Sequence, residues 1–260
     1  MKEEDFLNFN EWFYHYVRSF YSDDAFIQQN VILKEEHSIR VCDNVSLIAR
    51  SENLDAEDYN LARTIALFHD IGRFEQILKY RTFKDSESEN HALLGMEILK
   101  AAGILSDLPS EEQEIILTAI MNHNIQRIPD GLDQRTLLHS RLIRDADKLD
   151  IYQVLTDYYE IKKTSPNPAI DMGLSDISEY SPDLIKDIFA NKVLSVKNIR
   201  TCNDMKLTRL AWLFDLNFIE TFRLVRERGY IDKVINSLPH NREIDGLHTY
   251  LKKYMDSILE

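Results

Sequence analysis

The sequence predicts an all-α protein. Only 7 Gly and 6 Pro occur among 260 residues, so long uninterrupted helices can form. Apolar residues recur at steps of three and four, whereas the period-two alternation of Val, Ile and Thr that marks strands is hard to find. We therefore expect a helical bundle with little or no sheet. It is predicted to be one domain over residues 1–260, with a core at about 30–160 and a C-terminal helical extension at about 181–260.

The charge balance limits the partners that the chain can bind. Lys and Arg number 31 against 44 Asp and Glu, which gives a formal net charge of −13. Such a surface repels a nucleic acid duplex and an anionic membrane face, and no Lys/Arg run is long enough to reverse the field locally. If an anionic substrate binds, metal cations are the strongest candidates for supplying positive charge.

Cysteine content and apolar runs bear on the compartment. Cys42 and Cys202 are far apart and have no CxxC partner, so neither a disulfide framework nor a zinc-thiolate site is indicated. The acidic start from Met1 to Asp5 is unlike a secretion signal, and no apolar stretch approaches the roughly 20 residues that span a bilayer. We expect a cytoplasmic protein without a membrane partner.

The N-terminal quarter predicts helices that pack against a core. Aromatic side chains recur at helical spacing between about Phe6 and Val31, which is typical of one or two packed helices. From Lys34 to Ala49 apolar residues recur at three-residue steps, which predicts an amphipathic helix. His37 would lie near the start of that helix.

The next helix leads to two adjacent residues that can bind a metal. Asp55-Ala56-Glu57-Asp58 is a favourable helix start, because acidic residues meet the positive end of the helix dipole. The helix is expected to end at His69-Asp70-Ile71-Gly72. The stretch from Arg73 to Asn90 has no sustained period and many polar residues, which predicts an excursion or lid rather than a packed element.

Two further helices would each present a histidine. A helix resumes at His91, and Gly103 lies where a C-terminal cap is expected. Ser110 and Gln113 fit a capping box ahead of the following apolar run. That run would place His123 at the C-terminal end of its helix.

A long helix from Leu137 to Tyr159 carries Asp145 and Asp147 near its middle. Ser165-Pro166-Asn167-Pro168 breaks this helix, and the residues up to Ser181 are expected to form a loop over the site mouth. Beyond that loop the pattern is helical again to the C-terminus.

Residues that can bind a metal thus occur on five separate predicted helices, and their joint occurrence among apolar neighbours points to one shared site. Neutral imidazole and carboxylate are the ligands of catalytic iron, manganese or zinc sites with open positions. Each residue also has an ordinary explanation, such as an oriented buried histidine, a helix cap or a surface ion pair. The remaining histidines lack this context and are treated as structural or exposed: His15, His139, His240 and His248.

The order His37, His69-Asp70, Asp147 resembles the H…HD…D pattern of the HD superfamily of metal-dependent phosphohydrolases. The resemblance runs from about Glu36 to Asp150 and implies an all-helical fold in which these four residues hold one divalent metal. The two-metal branch of the family has two further histidines, and His91 and His123 stand in their places. Asp147 is preferred as the last ligand because it follows a small residue, as is common in the family, and Asp145 is the alternative.

The resemblance also implies a reaction. It implies cleavage of a phosphate ester by attack of a metal-bound hydroxide, with two divalent ions drawn from Fe, Mn, Ni, Co or Zn and with Asp70 bridging them. Arg73 and Lys148 would contact the phosphate, although both can equally be exposed charges at helix ends. The Gly-Tyr-Pro signature of the cyclic-di-GMP branch is missing after His123, which argues against that substrate.

Two other functions stay open at the level of the sequence. The six-ligand pattern also resembles di-iron inositol oxygenase, which would make the chain an oxygenase. A non-catalytic sensor that binds a nucleotide or a metal is the third hypothesis. The expected substrate is a nucleotide or another small phosphorylated metabolite, and the sequence is compatible with a homo-oligomer.

Overall fold

The computed structural model describes residues 1–194 and 199–260, and it confirms the all-α prediction. Within these residues the nearest approach to a sheet is an isolated bridge between Ser175 and Thr201. The chain divides into two compact units, Met1–Asp150 and Ile151–Glu260. The expectation of one domain over the whole chain stays a prediction, and residues 195–198 of the expected extension lie outside the described residues.

The first unit is built from long helices and one short 3-10 helix at Asp85–Glu87, and its last helix runs on into the second unit. The helices are α1 Glu3–Arg18, α2 Ala25–Ser51, α3 Ala56–Phe68, α4 Gly72–Tyr80, α5 His91–Ala102, α6 Ser110–His123 and α7 Gln134–Ile161.

Helix α3 lies at the centre of the first unit. It packs against α1, α2 and α6, while α4 packs against α2 and α5. The aromatic residues of α1 contribute to this core: the ring centroids of Phe9 and Trp12 each lie 5.7 Å from that of Phe68, and Phe13 lies 6.0 Å from Phe74. Burial of these rings removes a large apolar area from water and holds the end of α3 in place.

Several helix ends follow the local chemistry of the sequence. The Asp55 side chain accepts a hydrogen bond from the backbone N–H of Asp58 at 2.9 Å and so caps α3. Gly103 ends α5 with a φ of +62°, as the predicted cap requires. The capping box at Ser110 was wrong, because Pro109 precedes the helix and the Gln113 amide donates to the Leu108 carbonyl instead.

Two predictions about local structure were also wrong. His37 lies in the middle of α2, since this helix begins at Ala25 and not near Lys34. The stretch from Arg73 to Asn90 is largely ordered structure, because α4 occupies its first half and the short 3-10 helix follows. Buried hydrogen bonds hold this stretch, and such bonds leave no periodic signal in a sequence.

The second unit contains six further helices among the described residues and a 3-10 helix at Ala211–Asp215. They are α8 Pro168–Asp171, α9 Pro182–Phe189, α10 Cys202–Leu210, α11 Ile219–Glu227, α12 Tyr230–Asn236 and α13 Arg242–Leu259.

Tyr152 lies in the core of the second unit. Its ring stacks on Tyr230 with centroids 5.6 Å apart and meets Trp212 edge to face at 5.7 Å. Its hydroxyl donates to the carbonyl of Arg209 at 2.6 Å, so the buried polar atom is satisfied. The expected position of the 165–181 loop over the site mouth stays a prediction. Among the described residues, the helices are too short or too polar to cross a membrane.

Candidate metal centre

The centre lies at the break between α3 and α4. α3 ends at Phe68 and His69 is its C-cap; Asp70 and Ile71 follow, and α4 begins at Gly72. A glycine is required at this point because a Cβ atom there would lie 2.2 Å from the backbone oxygen of His91 and 2.8 Å from the backbone nitrogen of Gly95. The close approach of α4 to α5 therefore brings His91 to the same side as the His69-Asp70 pair.

Six predicted ligand residues converge in space. Their ligand atoms form three groups within which all atoms lie no more than 4.8 Å apart. All but one of the six residues are buried, and Asp147 has a side chain that is 13% exposed. The groups are His37 with His69 and Asp70, His69 with His123 and Asp147, and Asp70 with His91 and His123.

Asp70 presents its two carboxylate oxygens to two different pairs of histidines. Oδ2 lies 3.4 Å from Nε2 of His37 and 3.7 Å from Nε2 of His69. Oδ1 lies 3.3 Å from Nε2 of His91 and 3.7 Å from Nε2 of His123. A carboxylate that faces two sets of nitrogen donors has the arrangement required of a ligand shared by two cations.

Asp147 adds a second carboxylate beside the pair His37 and His69. Its Oδ1 lies 3.2 Å from Nε2 of His37 and 3.6 Å from Nε2 of His69. Asp145, the alternative ligand, does not belong to any of the candidate groups found among the described residues. It is fully buried and has interactions of its own.

The other ring nitrogen of each histidine faces an acceptor. Nδ1 of His69 lies 2.7 Å from the carbonyl of Ala66, and Nδ1 of His123 lies 2.6 Å from the carbonyl of Ile120. Each of these carbonyls belongs to the same helix as its histidine, three residues earlier. Because a carbonyl can only accept, the proton must sit on Nδ1, and Nε2 is left as the free lone pair.

Carboxylates play the same part for the other two histidines. Nδ1 of His37 donates to Oδ2 of Asp150 at 2.6 Å, and Arg40 in turn donates to Oδ1 of Asp150 at 2.6 Å. Nδ1 of His91 lies 2.8 Å from Asp85. Carboxylates that orient ligand histidines in this way are a common feature of metal sites.

The donor chemistry fits a cation. Nε2 of His91 and Nε2 of His123 lie only 2.9 Å apart. Since Nδ1 of each ring holds the proton, two nitrogen lone pairs face each other at hydrogen-bond distance, and a proton or a cation between them relieves the repulsion. Residues of this chain thus provide the kind of donor set that divalent ions of the Mn, Fe, Co, Ni and Zn series bind.

Charges and burial set the protonation states. Burial alone would raise the pKa of Asp70, but its electrostatic interactions with Lys34, His69 and Arg73 hold the pKa well below its usual range. Burial lowers the pKa of His69, and burial together with Arg73 lowers the pKa of His91 to about 3. Both rings are therefore neutral at neutral pH, the state in which Nε2 can bind a cation.

His37 differs from the other rings. Burial and the charge of Lys34 lower its pKa, but hydrogen bonds with Asp147, Asp150 and Asp70 outweigh them and raise the pKa to about 10. A cation in the first group would take the place of the proton on Nε2.

The guanidinium of Arg73 lies beside the centre. Its Nη1 donates to Oε1 of Gln76 at 2.7 Å, to the carbonyl of Phe83 at 2.7 Å and to Oδ1 of Asp85 at 3.0 Å. Its buried Nε lies 3.4 Å from Oδ1 of Asp70 and has no hydrogen-bond partner within the described part of the chain. The predicted contact of Arg73 with phosphate stays a prediction.

Asp85 connects Arg73 with His91. It also accepts hydrogen bonds from Nε2 of Gln76 at 2.9 Å and from Nδ2 of Asn124 at 3.3 Å. Burial raises the pKa of Asp85, but hydrogen bonding from His91 and electrostatic interactions with His91 and Arg73 outweigh burial and lower the pKa to about 2. The stretch predicted to be a lid therefore supplies an orienting group for one of the ligands.

Lys148 follows Asp147 in α7 and is buried, and its predicted phosphate contact stays a prediction. Sequence reasoning missed four charged residues next to the centre, namely Lys34, Arg40, Asp85 and Asp150. The first two could have been found, because Lys34, His37 and Arg40 recur at three-residue steps on one face of α2. Of the histidines set aside, His139 is buried and lies 3.2 Å from Oδ1 of Asp58, a structural contact.

Comparison with known families agrees with this geometry. Residues 35–152 match the family model of the HD domain. Neither the curated proteins nor the solved structures match the chain significantly. HD domains bind divalent metals, and all six converging side chains lie within the matched residues. The match over residues 35–152 supports the resemblance of this part of the chain to the HD superfamily of metal-dependent phosphohydrolases.

Proposed function

We propose that the chain hydrolyses a phosphate ester of a nucleotide or another small phosphorylated metabolite, with the help of two divalent ions. Fe, Mn, Ni, Co and Zn all suit a shell of imidazole and carboxylate. The ligands in this proposal are His37, His69, Asp70, His91, His123 and Asp147.

One observation carries the proposal. The two oxygens of Asp70 face two different histidine pairs at 3.3 to 3.7 Å. If the site held a single ion beside His37 and His69, that ion would need only one of these oxygens. His91 and His123 would then have no ligand function. The proposal of two ions gives a role to all four histidines.

When bound, the ions would lower the pKa of a water, polarise the phosphoryl group and offset the charge of the leaving oxygen. The residues of the chain set up the site for this chemistry. Asp85 and Asp150 hold the proton on Nδ1 of His91 and His37 and thereby direct Nε2 inward. Arg73 places a positive charge next to Asp70, where phosphate oxygens would gather.

The test is phosphate release by protein that has been stripped of metal and reloaded with Mn²⁺, Fe²⁺, Co²⁺, Ni²⁺ or Zn²⁺. A generic aryl phosphate and a nucleotide panel serve as substrates, and elemental analysis counts the bound ions. Asp70→Asn keeps the shape of the side chain, and we expect it to lose both activity and bound metal. Asp107→Asn, at an exposed loop position, is the matched control and should behave like the wild type.

Wild-type rates in Asp70→Asn would refute the assignment. The two other functions give different results in the same preparation. Oxygen consumption with ferrous iron and no phosphate release would establish an oxygenase. Tight nucleotide binding without turnover in fully metallated protein would establish a sensor.

A further inference from the structure

Lys34 is the closest positive charge to the shared carboxylate. It lies one turn before His37 in α2, and its side chain is only 14% exposed. Its Nζ donates to Oδ2 of Asp70 at 2.6 Å and lies 5.3 Å from the ring centroid of Phe83. Burying an ammonium group in this way is costly unless it serves as a partner for a charge.

The oxygen that Lys34 contacts is also a proposed ligand atom. Oδ2 of Asp70 faces Nε2 of His37 and of His69. An ion in this group and the Lys34 ammonium would therefore share one oxygen and repel each other across a few ångströms in a poorly screened site. Lysine carries its charge on a flexible four-carbon stem, so the ammonium can move while the helix stays in place.

Phe83 lies beside both Lys34 and Arg73. The Arg73 guanidinium lies 5.6 Å from the centroid of the same Phe83 ring. An aromatic face attracts both cations and gives neither of them a counter-charge. Arg73 also pairs with Asp85 at 3.0 Å, but two cations beside one ring, next to a carboxylate whose charge the ions would offset, would supply local positive charge for an anion in a chain with net charge −13.

We propose that Lys34 has two successive roles: it pairs with Oδ2 of Asp70 before the ions bind, and it then contacts the phosphate group of the substrate together with Arg73. This inference rests on the proposed function. In this proposal Lys34 competes with the first ion, which binds to His37, His69 and Asp70, and it strengthens the binding of the substrate. Removing its charge should therefore strengthen binding of the first ion and weaken binding of the substrate.

The variant that tests this is Lys34→Met, which keeps the stem and removes the charge. Titration calorimetry of metal-stripped protein with Mn²⁺ should show the first ion binding at least about 10-fold more tightly. Titration of the Mn²⁺-loaded protein with inorganic phosphate should show binding weakened by about 10- to 100-fold, the usual size of a lost charged hydrogen bond. Lys34→Arg should restore most of the phosphate affinity.

Lys79→Met is the matched control, because Lys79 also pairs with a carboxylate in the first unit, Glu75 at 2.6 Å, but its side chain is 49% exposed. It should leave both titrations unchanged. The inference is overturned if Lys34→Met binds Mn²⁺ no more tightly than the wild type, or if it keeps wild-type phosphate affinity. If both shifts occur but no phosphate ester is hydrolysed, the inference about Lys34 stands and the proposed reaction falls.

Discussion

Replacing Gly72 by alanine should destabilise the first unit and disturb the metal centre. An alanine in place of a helical glycine normally stabilises a protein by about 0.5–1 kcal/mol. Here the new Cβ would lie 2.2 Å from the oxygen of His91 and 2.8 Å from the nitrogen of Gly95. Both are backbone atoms, so α4 and α5 must move apart as whole helices.

The cost of the clash should fall at the upper end of the ~1–3 kcal/mol range found for overpacked cores. After the helix gain is subtracted, we expect a net loss of about 2 kcal/mol. If the free energy of unfolding falls by about 2 kcal/mol per molar of urea, the urea concentration at the unfolding midpoint should drop by about 1 M. Because α5 carries His91, elemental analysis should also show less bound metal.

The assay needs a signal from the first unit alone. Trp12 and Trp212 are the two tryptophans of the chain, so in a Trp212→Phe background fluorescence reports on Trp12 in α1. Gly95→Ala is the control: its Cβ would approach a side-chain methyl of Ile71 at 3.1 Å, which can yield, so the loss should stay below about 1 kcal/mol. A Gly72→Ala protein as stable as Gly95→Ala would refute the reasoning from close helix contact.

Three other predictions concern the surroundings of the centre and the core. Asp85→Asn removes the charge that orients His91, so the affinity for the second ion, at Asp70, His91 and His123, should fall by about 10- to 100-fold while the first ion, at His37, His69 and Asp70, is retained; equal loss of both ions would contradict this. Asp150→Asn should instead weaken the first ion, through His37, as metal titration would show. Burial raises the pKa of the Cys42 thiol to about 12, so a thiol reagent at pH 8 should label it only after denaturation; labelling of the native protein would contradict the burial.

The fold was predictable where helix ends carry their own chemistry. Asp55 and Gly103 cap helices at the positions read from the sequence. The stretch after Arg73 was not predictable, because its order depends on Gln76. This fully buried amide donates to Asp85 at 2.9 Å, to Ser88 at 2.8 Å and to the carbonyl of Glu89 at 2.9 Å. A polar residue with such partners looks, in the sequence alone, like any exposed one.

The candidate centre was predictable as a set of residue types but not as an arrangement. Histidines at helix ends and an acidic pair in a long helix indicated which side chains could meet. The two carboxylate oxygens of Asp70 face different histidine pairs because of the short break after α3 and the contact of Gly72 with α5. Both features belong to the folded structure and leave no pattern in the sequence. The pairing of Lys34 with Asp70 was not predictable, because the two residues lie 36 positions apart along the chain.

The anchored rings of His69, His91 and His123 bear on how quickly the protein could acquire its ions. Each Nδ1 proton already has its acceptor, so none of these rings needs to turn or exchange a tautomer when an ion arrives. In the group of Asp70, His91 and His123, where neither the Lys34 ammonium nor the proton on His37 has to leave first, the slow event would then be the departure of water from the ion itself. Nickel releases its water far more slowly than manganese, so in stopped-flow experiments the same site should fill with manganese well before nickel, whichever of the two is held more tightly at equilibrium.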